Sequence, residues 1–231
     1  MRKLGLIGGM SWISTSTYYD RINRYVQARV PAPASAPLLL ESLDFSLVYR
    51  VTEDQGWEEA AKVVTASAQR LEQAGAGALV ICANSMHKVY DEVAASVDIP
   101  IFHIAECVGE KMKADGVTTA ALFGTRNVMT ESFYRKRLVA HGVDLLPPDM
   151  DYVEQLDRII YDELMLGKVT RDAQRKLKTM ITVKEQAGAR AIVLACTELD
   201  MVVDIDANVL PIYDSLKIHA EKAAEWILGE G

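Results

Sequence analysis

An α/β chain made of two pseudo-symmetric lobes, each a mainly parallel sheet flanked by helices, is predicted by three observations. Short apolar runs alternate with stretches of helical period, the signature of strand–helix–strand crossovers. The runs lack clean polar alternation, as parallel strands covered on both faces do. The chain also repeats itself. Glu72-Gln73-Ala74-Gly75-Ala76-Gly77-Ala78-Leu79-Val80-Ile81-Cys82 reappears as Glu185-Gln186-Ala187-Gly188-Ala189-Arg190-Ala191-Ile192-Val193-Leu194-Ala195-Cys196. The two cysteines are 114 residues apart in a chain of 231. Leu6-Ile7-Gly8 echoes Leu122-Phe123-Gly124 at an offset of 116, where Ser16 also meets Ser132, Tyr18 meets Tyr134 and Arg21 meets Arg137. Ile99-Pro100-Ile101-Phe102 echoes Leu210-Pro211-Ile212-Tyr213 at an offset of 111. Three blocks in the same order argue for two homologous halves, and the period is too long for a solenoid of ~20–50 residues.

The strands are expected at residues 4–7, 37–40, 78–82, 99–104, 119–123, 191–196 and 209–213. A first helix follows, with Trp12, Tyr18 and Tyr19 as packing residues. Ala60, Val63, Val64, Ala68 and Leu71 keep a helical period that Gly75 stops. Asp151 with Glu154 reads as a capping box ahead of Val153, Leu156, Ile159, Ile160 and Leu164. Thr170 caps a helix carrying Ala173, Leu177, Met180 and Ile181, closed by Gly188. A last helix turns Ala220, Ala223, Ala224 and Ile227 inward. Pro100 and Pro211 open matched strands, where a missing N–H is tolerated. The chain is therefore expected to cross between lobes there: residues 1–98 with 212–231 form the first lobe, and 99–211 the second.

Half of the residues are apolar, enough for real cores, and the formal net charge is −7 with no basic block. Nucleic acid is excluded as a partner, since phosphate binding needs clustered Lys and Arg. No apolar run approaches the ~20 residues of a membrane span, so no membrane is expected. The first residues read directly into a strand without the apolar core of a signal peptide. Three cysteines without close pairs point to free thiols in a reducing, cytoplasmic setting.

Ligands of open parallel sheets bind beyond the carboxyl ends of strands. Four such segments are rich in small polar residues: Gly8-Gly9-Met10-Ser11, Cys82-Ala83-Asn84-Ser85-Met86-His87, Gly124-Thr125-Arg126-Asn127 and Cys196-Thr197-Glu198. Each precedes a helical pattern whose free N–H groups suit a carboxylate. The first is neither a Walker A loop nor a dinucleotide fingerprint, because the required Lys-Ser/Thr and third glycine are missing. A glycine turn there is equally well a tight βα turn.

A cysteine flanked by apolar residues is ordinarily a small core residue. Two of them at matched strand ends, each before a helix start expected to lower its pKa, point to paired acid/base thiols. Cys107 has no counterpart in the other half, where Lys217 stands, and reads as structural. Metal is not expected, since Cys82 and His87 lack any accompanying ligand spacing. A Cys/His nucleophile using His87, His103 or His219 would leave the second cysteine without a role. One thiolate removing an α-proton of an amino acid, with a thiol returning a proton to the opposite face, uses both. Aimed N–H groups and hydroxyls would stabilise the developing enolate. No lysine or phosphate loop suggests pyridoxal phosphate.

On Gly5-Leu6-Ile7-Gly8-Gly9-Met10-Ser11-Trp12, Cys82-Ala83-Asn84-Ser85-Met86-His87, Gly124-Thr125-Arg126 and Cys196-Thr197-Glu198, the chain resembles the aspartate/glutamate racemase family along essentially its whole length, close to the broad-specificity amino-acid racemases. Glu198 stands where glutamate racemases of cell-wall synthesis carry histidine. The resemblance implies two α/β lobes around a shared cleft holding the active site. It implies no cofactor, Cys82 and Cys196 as the catalytic pair, and a homodimer. The expected substrate-binding residues are Met10, Ser11, Arg50, Ala83, Asn84, Ser85, Thr125, Met165, Thr197 and Glu198. Some aspartate racemases of the family hold the substrate's side-chain carboxylate with an Arg and a Lys. Arg50 matches the Arg, but Met165 stands where the Lys would be, so a relaxed substrate range including neutral amino acids is expected. Arg126 reads equally as a carboxylate grip or a surface ion pair, and Glu198 as a cap or a partner of the substrate ammonium. The competing readings are hydantoin racemisation, maleate isomerisation or malonate decarboxylation on the same scaffold, and a non-catalytic amino-acid-binding protein.

Overall fold

The computed structural model describes residues 1–49, 54–205 and 207–230. Arg50, expected to bind substrate, lies outside the described residues. Two compact units are formed, one from Met1–His103 with His219–Gly231 and the other from Ile104–Ile218.

The first unit runs β1 (Leu4–Gly8), α1 (Trp12–Gln27), β2 (Leu38–Ser42), α2 (Asp54–Gln73), β3 (Ala78–Ile81), α3 (Tyr90–Ala94) and β4 (Ile101–Phe102). Its four strands are parallel in the order β2-β1-β3-β4, with Leu4 opposite Leu38 on one side and Ala78 on the other. β1 and β3 are buried throughout, as central strands covered on both faces must be. Gly9 leaves β1 with φ +87°, and a Cβ there would meet the Leu43 backbone at 2.2 Å, so no other residue fits. The Gly9 N–H donates to Thr15 Oγ1 at 2.8 Å. That glycine turn is therefore tied into its own helix.

The second unit runs α4 (Ile104–Ala114), β5 (Thr119–Gly124), α5 (Arg126–Thr130), α6 (Ser132–Ala140), β6 (Asp144–Leu145), α7 (Met150–Asp162), α8 (Arg171–Gln186), β7 (Ile192–Ala195) and β8 (Ile212–Asp214). Here too the strands are parallel, in the order β6-β5-β7-β8. The strand order of the first unit is thus reproduced, as the repeat predicts. Side chains along β5 and β7 alternate between two apolar clusters. Ala121, Phe123, Ile192 and Leu194 face α7 and α8, while Ala120, Leu122, Val193 and Ala195 face α4 and α6. Two apolar faces at period 2 explain why no polar alternation is visible in the sequence. The repeat-matched Tyr18 of α1 and Tyr134 of α6 are both fully buried. The last helix, α9 (Ser215–Leu228), begins in the second unit and ends in the first.

α2 and α8 end alike. Gly75 and Gly188 take φ +88° and +99°, and the following Ala76 and Ala189 donate back to Leu71 and Lys184. This hydrogen-bond pair closes a helix through a left-handed residue. Thr170 caps α8 by accepting from the Ala173 N–H at 3.1 Å, as expected.

Four expectations are corrected. Of the three aromatics expected to pack along α1 only Tyr18 does, since Trp12 and Tyr19 lie on its outer face, 70% and 52% exposed. β4 pairs with β3 and β8 with β7, so the crossings fall after His103 and Ile218, not at residues 98–99 and 211–212. Each of these strands completes the sheet its chain has just built, and the crossing waits for the helix that follows. Asp149, not Asp151, caps α7, accepting from the Asp151 and Tyr152 N–H groups. β6, only Asp144–Leu145, is absent from the expected strands because two residues carry no period.

Candidate active site

In both units the third strand of the sequence block, β3 or β7, ends at a cysteine and gives way to a 3₁₀ turn. Ser85–Val89 follows Cys82, and Thr197–Met201 follows Cys196. Cys82 is fully buried and Cys196 is 6% exposed. Helix starts were expected to make both thiols more acidic. Instead, burial pushes Cys82 well above the usual thiol range. Burial raises Cys196 too, reinforced by the nearby Glu198 carboxylate. Short 3₁₀ turns carry too few aligned peptides to offset desolvation of a thiolate. Both thiols therefore rest protonated.

Their surroundings differ. The Cys196 thiol donates to Glu198 Oε2 at 3.2 Å, and Thr197 Oγ1 donates to the same oxygen at 2.7 Å. Glu198 is 2% exposed and Thr197 9%. The Glu198 side chain is thus aimed at the thiol hydrogen. Two residues after Cys82 stands Asn84, 5% exposed, and among the described residues neither end of its side-chain amide has a hydrogen-bond partner. Thr125, after β5, is 5% exposed and its Oγ1 also has no partner among the described residues. An unsatisfied buried polar group costs ~1–3 kcal/mol, a cost that hydrogen bonds to a ligand would offset.

The other expected contacts fall as follows. Ser11 caps α1, accepting from the Ser14 N–H at 3.5 Å, while its carbonyl accepts from Thr15 Oγ1 at 2.9 Å. Met10 and Ala83 pack into the apolar cluster of the first unit. Ser85 is half-buried at the start of its turn. Met165 lies in the turn Leu164–Leu166, half-buried against the apolar cluster of the second unit. Arg126 is a surface residue. Its backbone N–H donates to Asp157 Oδ1 at 2.9 Å and its guanidinium lies 3.7 Å from Glu154. The ion-pair reading thus has an acidic partner within reach, Glu154. Cys107 is buried in α4 at a core position.

One feature was not legible in the sequence. His87, His103 and His219 come together with Tyr90 inside the first unit, with ring centroids 4.5 Å apart for His87–His103 and 5.8 Å for His87–His219. His219 Nε2 faces the Phe102 carbonyl at 3.0 Å and Nδ1 faces Tyr18 Oη at 2.8 Å. The nitrogen facing a carbonyl must carry the hydrogen, so the hydroxyl donates to Nδ1 and the ring is neutral. Burial, with His87 nearby, holds its pKa down to about 3. His219 is therefore a satisfied structural histidine and no general base.

The Asp/Glu/hydantoin racemase family model matches residues 7–223. The broad-specificity amino-acid racemase RacX of Bacillus subtilis (strain 168) is 25% identical over 219 residues, 92% of each chain. A crystal structure of a candidate Asp/Glu racemase from Yersinia pestis superposes with a TM-score of 0.91 at 38% identity, covering 99% of this chain and 100% of that one. PH1733, an aspartate racemase homologue from Pyrococcus horikoshii OT3, gives a TM-score of 0.85 at 30% identity over 99% and 100% of the two chains.

Proposed function

Because this chain belongs to the Asp/Glu/hydantoin racemase family, we propose that it is an isomerase interconverting the L- and D-enantiomers of amino acids without a cofactor, with Cys82 and Cys196 as the paired base and acid. One observation carries the reading. The two cysteines end equivalent strands of two sheets with the same order, so the duplication supplies one thiol from each half. Racemisation needs such a pair, since a proton must leave one face of the α-carbon and arrive at the other.

In this mechanism both thiols are protonated before substrate enters. Glu198 takes the proton of Cys196 as the substrate's ammonium arrives, whose positive charge favours the thiolate. The thiolate removes the α-proton, and the charge moves onto the substrate carboxylate. Asn84 and Thr125, whose buried polar groups have no partner among the described residues, donate to that carboxylate as its charge grows. Cys82 then delivers its proton to the other face. The turnover leaves Cys82 as thiolate and Glu198 protonated. From that state Cys82 is the base for the opposite enantiomer and Cys196 the acid, and Glu198 then returns its proton to Cys196. Proton exchange with solvent resets the pair when the same enantiomer enters again. The free energies of L and D are equal, so kcat/KM is the same in both directions.

Met165 leaves no cation at that position for an acidic side chain, and RacX is a broad-specificity enzyme. The substrate range is therefore proposed to include neutral amino acids. The active form is proposed to be a homodimer in the cytoplasm, where its three free cysteines stay reduced.

The test offers single enantiomers of aspartate, glutamate, several neutral amino acids and a 5-substituted hydantoin, and follows the products by chiral chromatography. Racemisation of acidic and neutral amino acids is expected. Turnover of aspartate alone would remove the relaxed range, and turnover of the hydantoin alone would replace the substrate class.

A further inference from the structure

Three buried imidazoles in one packet are costly, because each must have its polar nitrogens satisfied. His219 is accounted for by Tyr18 and Phe102. His87 does something that no apolar residue of its size could do. It is 2% exposed, in the turn after Cys82, and its Nδ1 lies 2.9 Å from the Ala83 carbonyl oxygen. Facing a carbonyl, that nitrogen must carry the hydrogen and donate it. The ring cannot swing away. It stacks on Tyr90 at 12°, with centroids 6.2 Å apart, and packs against His103 and His219. Tyr90 is itself anchored, its hydroxyl donating to the Ile101 carbonyl at 2.9 Å.

The Ala83 carbonyl and the Asn84 N–H belong to one planar peptide group and point in opposite directions. Fixing the carbonyl fixes the N–H. Among the described residues the Asn84 N–H donates to nothing, and neither end of its side-chain amide is bonded. Asn84 thus presents every donor it has, 5% exposed, one residue beyond the neighbour of Cys82.

We propose that His87 is a positioning residue for the reaction: by holding the Ala83 carbonyl it sets the Ala83–Asn84 peptide plane, and with it the Asn84 donors that receive the reacting carboxylate. This rests on the racemase reading above. His87 touches neither substrate nor sulfur in this account and acts wholly through the peptide it orients. Misaligned donors weaken contacts that strengthen as the enolate forms, so the loss falls on kcat more than on KM.

His87→Leu and His87→Asn decide the matter together, because the Asn side chain carries an N–H at the same remove from the backbone as Nδ1. His87→Leu is expected to lower kcat by roughly tenfold or more while KM moves less than about threefold. His87→Asn is expected to restore most of that kcat. Should His87→Leu fail to fold by circular dichroism, His87→Gln, which carries its donor one methylene too far, takes its place with the same expected loss. A second readout does not depend on turnover: iodoacetamide labelling of Cys82 against Cys196, followed by peptide mass analysis. The Cys82 rate should change in His87→Leu and return in His87→Asn, with Cys196 unchanged in both. If the wild type racemises and His87→Leu keeps its kcat, or His87→Asn loses as much as His87→Leu, positioning by His87 is wrong. If the wild type racemises nothing, the racemase reading fails, and the labelling alone then sustains or refutes the positioning.

Discussion

The segments after β3 and β7 share a backbone plan and differ in chemistry. Each leaves the same place in a sheet of the same order through a cysteine and a five-residue 3₁₀ turn. After Cys82 come a donor-bearing Asn84 without partners and a histidine that fixes the peptide before it. After Cys196 come a hydroxyl and a carboxylate, and the hydroxyl and the thiol both donate to the same carboxylate oxygen. Duplication thus preserved the position of the sulfur, and divergence divided the remaining tasks. In the proposed mechanism one loop would present donors to a growing negative charge, and the other would carry a proton acceptor for its own thiol. Two equivalent positions therefore need not hold equivalent groups, and substitutions should separate them.

The largest effect should come from what the halves share. Cys82→Ala and Cys196→Ala are each expected to lower kcat/KM by about 10³-fold or more in both directions, measured by chiral chromatography. A variant retaining near-normal turnover would break the equivalence of the two thiols. Next comes the donor side. Asn84→Ala should cost about 10²-fold in kcat, the usual loss on removing an oxyanion donor. A change confined to KM would mean that Asn84 only binds.

The acid side is read by pH. Burial raises the Cys196 pKa most, and the Glu198 side chain adds to it through its charge and its hydrogen bond, while the Glu198 backbone N–H works the other way. Glu198→Gln should therefore move the pH dependence of Cys196 alkylation downwards. Cys82, raised by burial alone, should not move. Equal shifts of both thiols would contradict the asymmetry.

Stability gives two smaller tests. The folded-state pKa of His219 is depressed from 6.5 to about 3, so the folded protein binds fewer protons than the unfolded chain between those values. Its contribution is present above pH 6.5 and is lost as pH falls towards 3, at up to about 1.4 kcal/mol per pH unit. His219→Gln should flatten that limb in urea denaturation series. Thr125→Val removes an unpartnered buried hydroxyl at nearly constant volume, and should raise stability by roughly 1 kcal/mol while lowering kcat.

How much of this was legible follows from the range of the signals. The repeat placed both cysteines at strand ends because it spans whole strand–turn–helix blocks. Gly75, Gly188 and Thr170 were legible because caps are local. β6 was too short to carry a period. The crossings were misplaced because Pro100 and Pro211 mark strand starts, and only pairing reveals which sheet a strand completes. The thiol environments were misjudged because desolvation is a property of the packed structure. Glu198 was visible as a residue two positions from Cys196, but its bond to the sulfur was not. The histidine packet draws on positions 18, 87, 90, 103 and 219, which no local pattern connects.

The most direct test of the paired-thiol account is the first turnover of a single enantiomer in D₂O, with the α-position of recovered substrate and new product read by mass spectrometry. Two separate proton carriers predict that product bears solvent deuterium from its first appearance while early unreacted substrate remains protiated. Product retaining the substrate's own α-protium would show one group serving both faces, and would contradict the account.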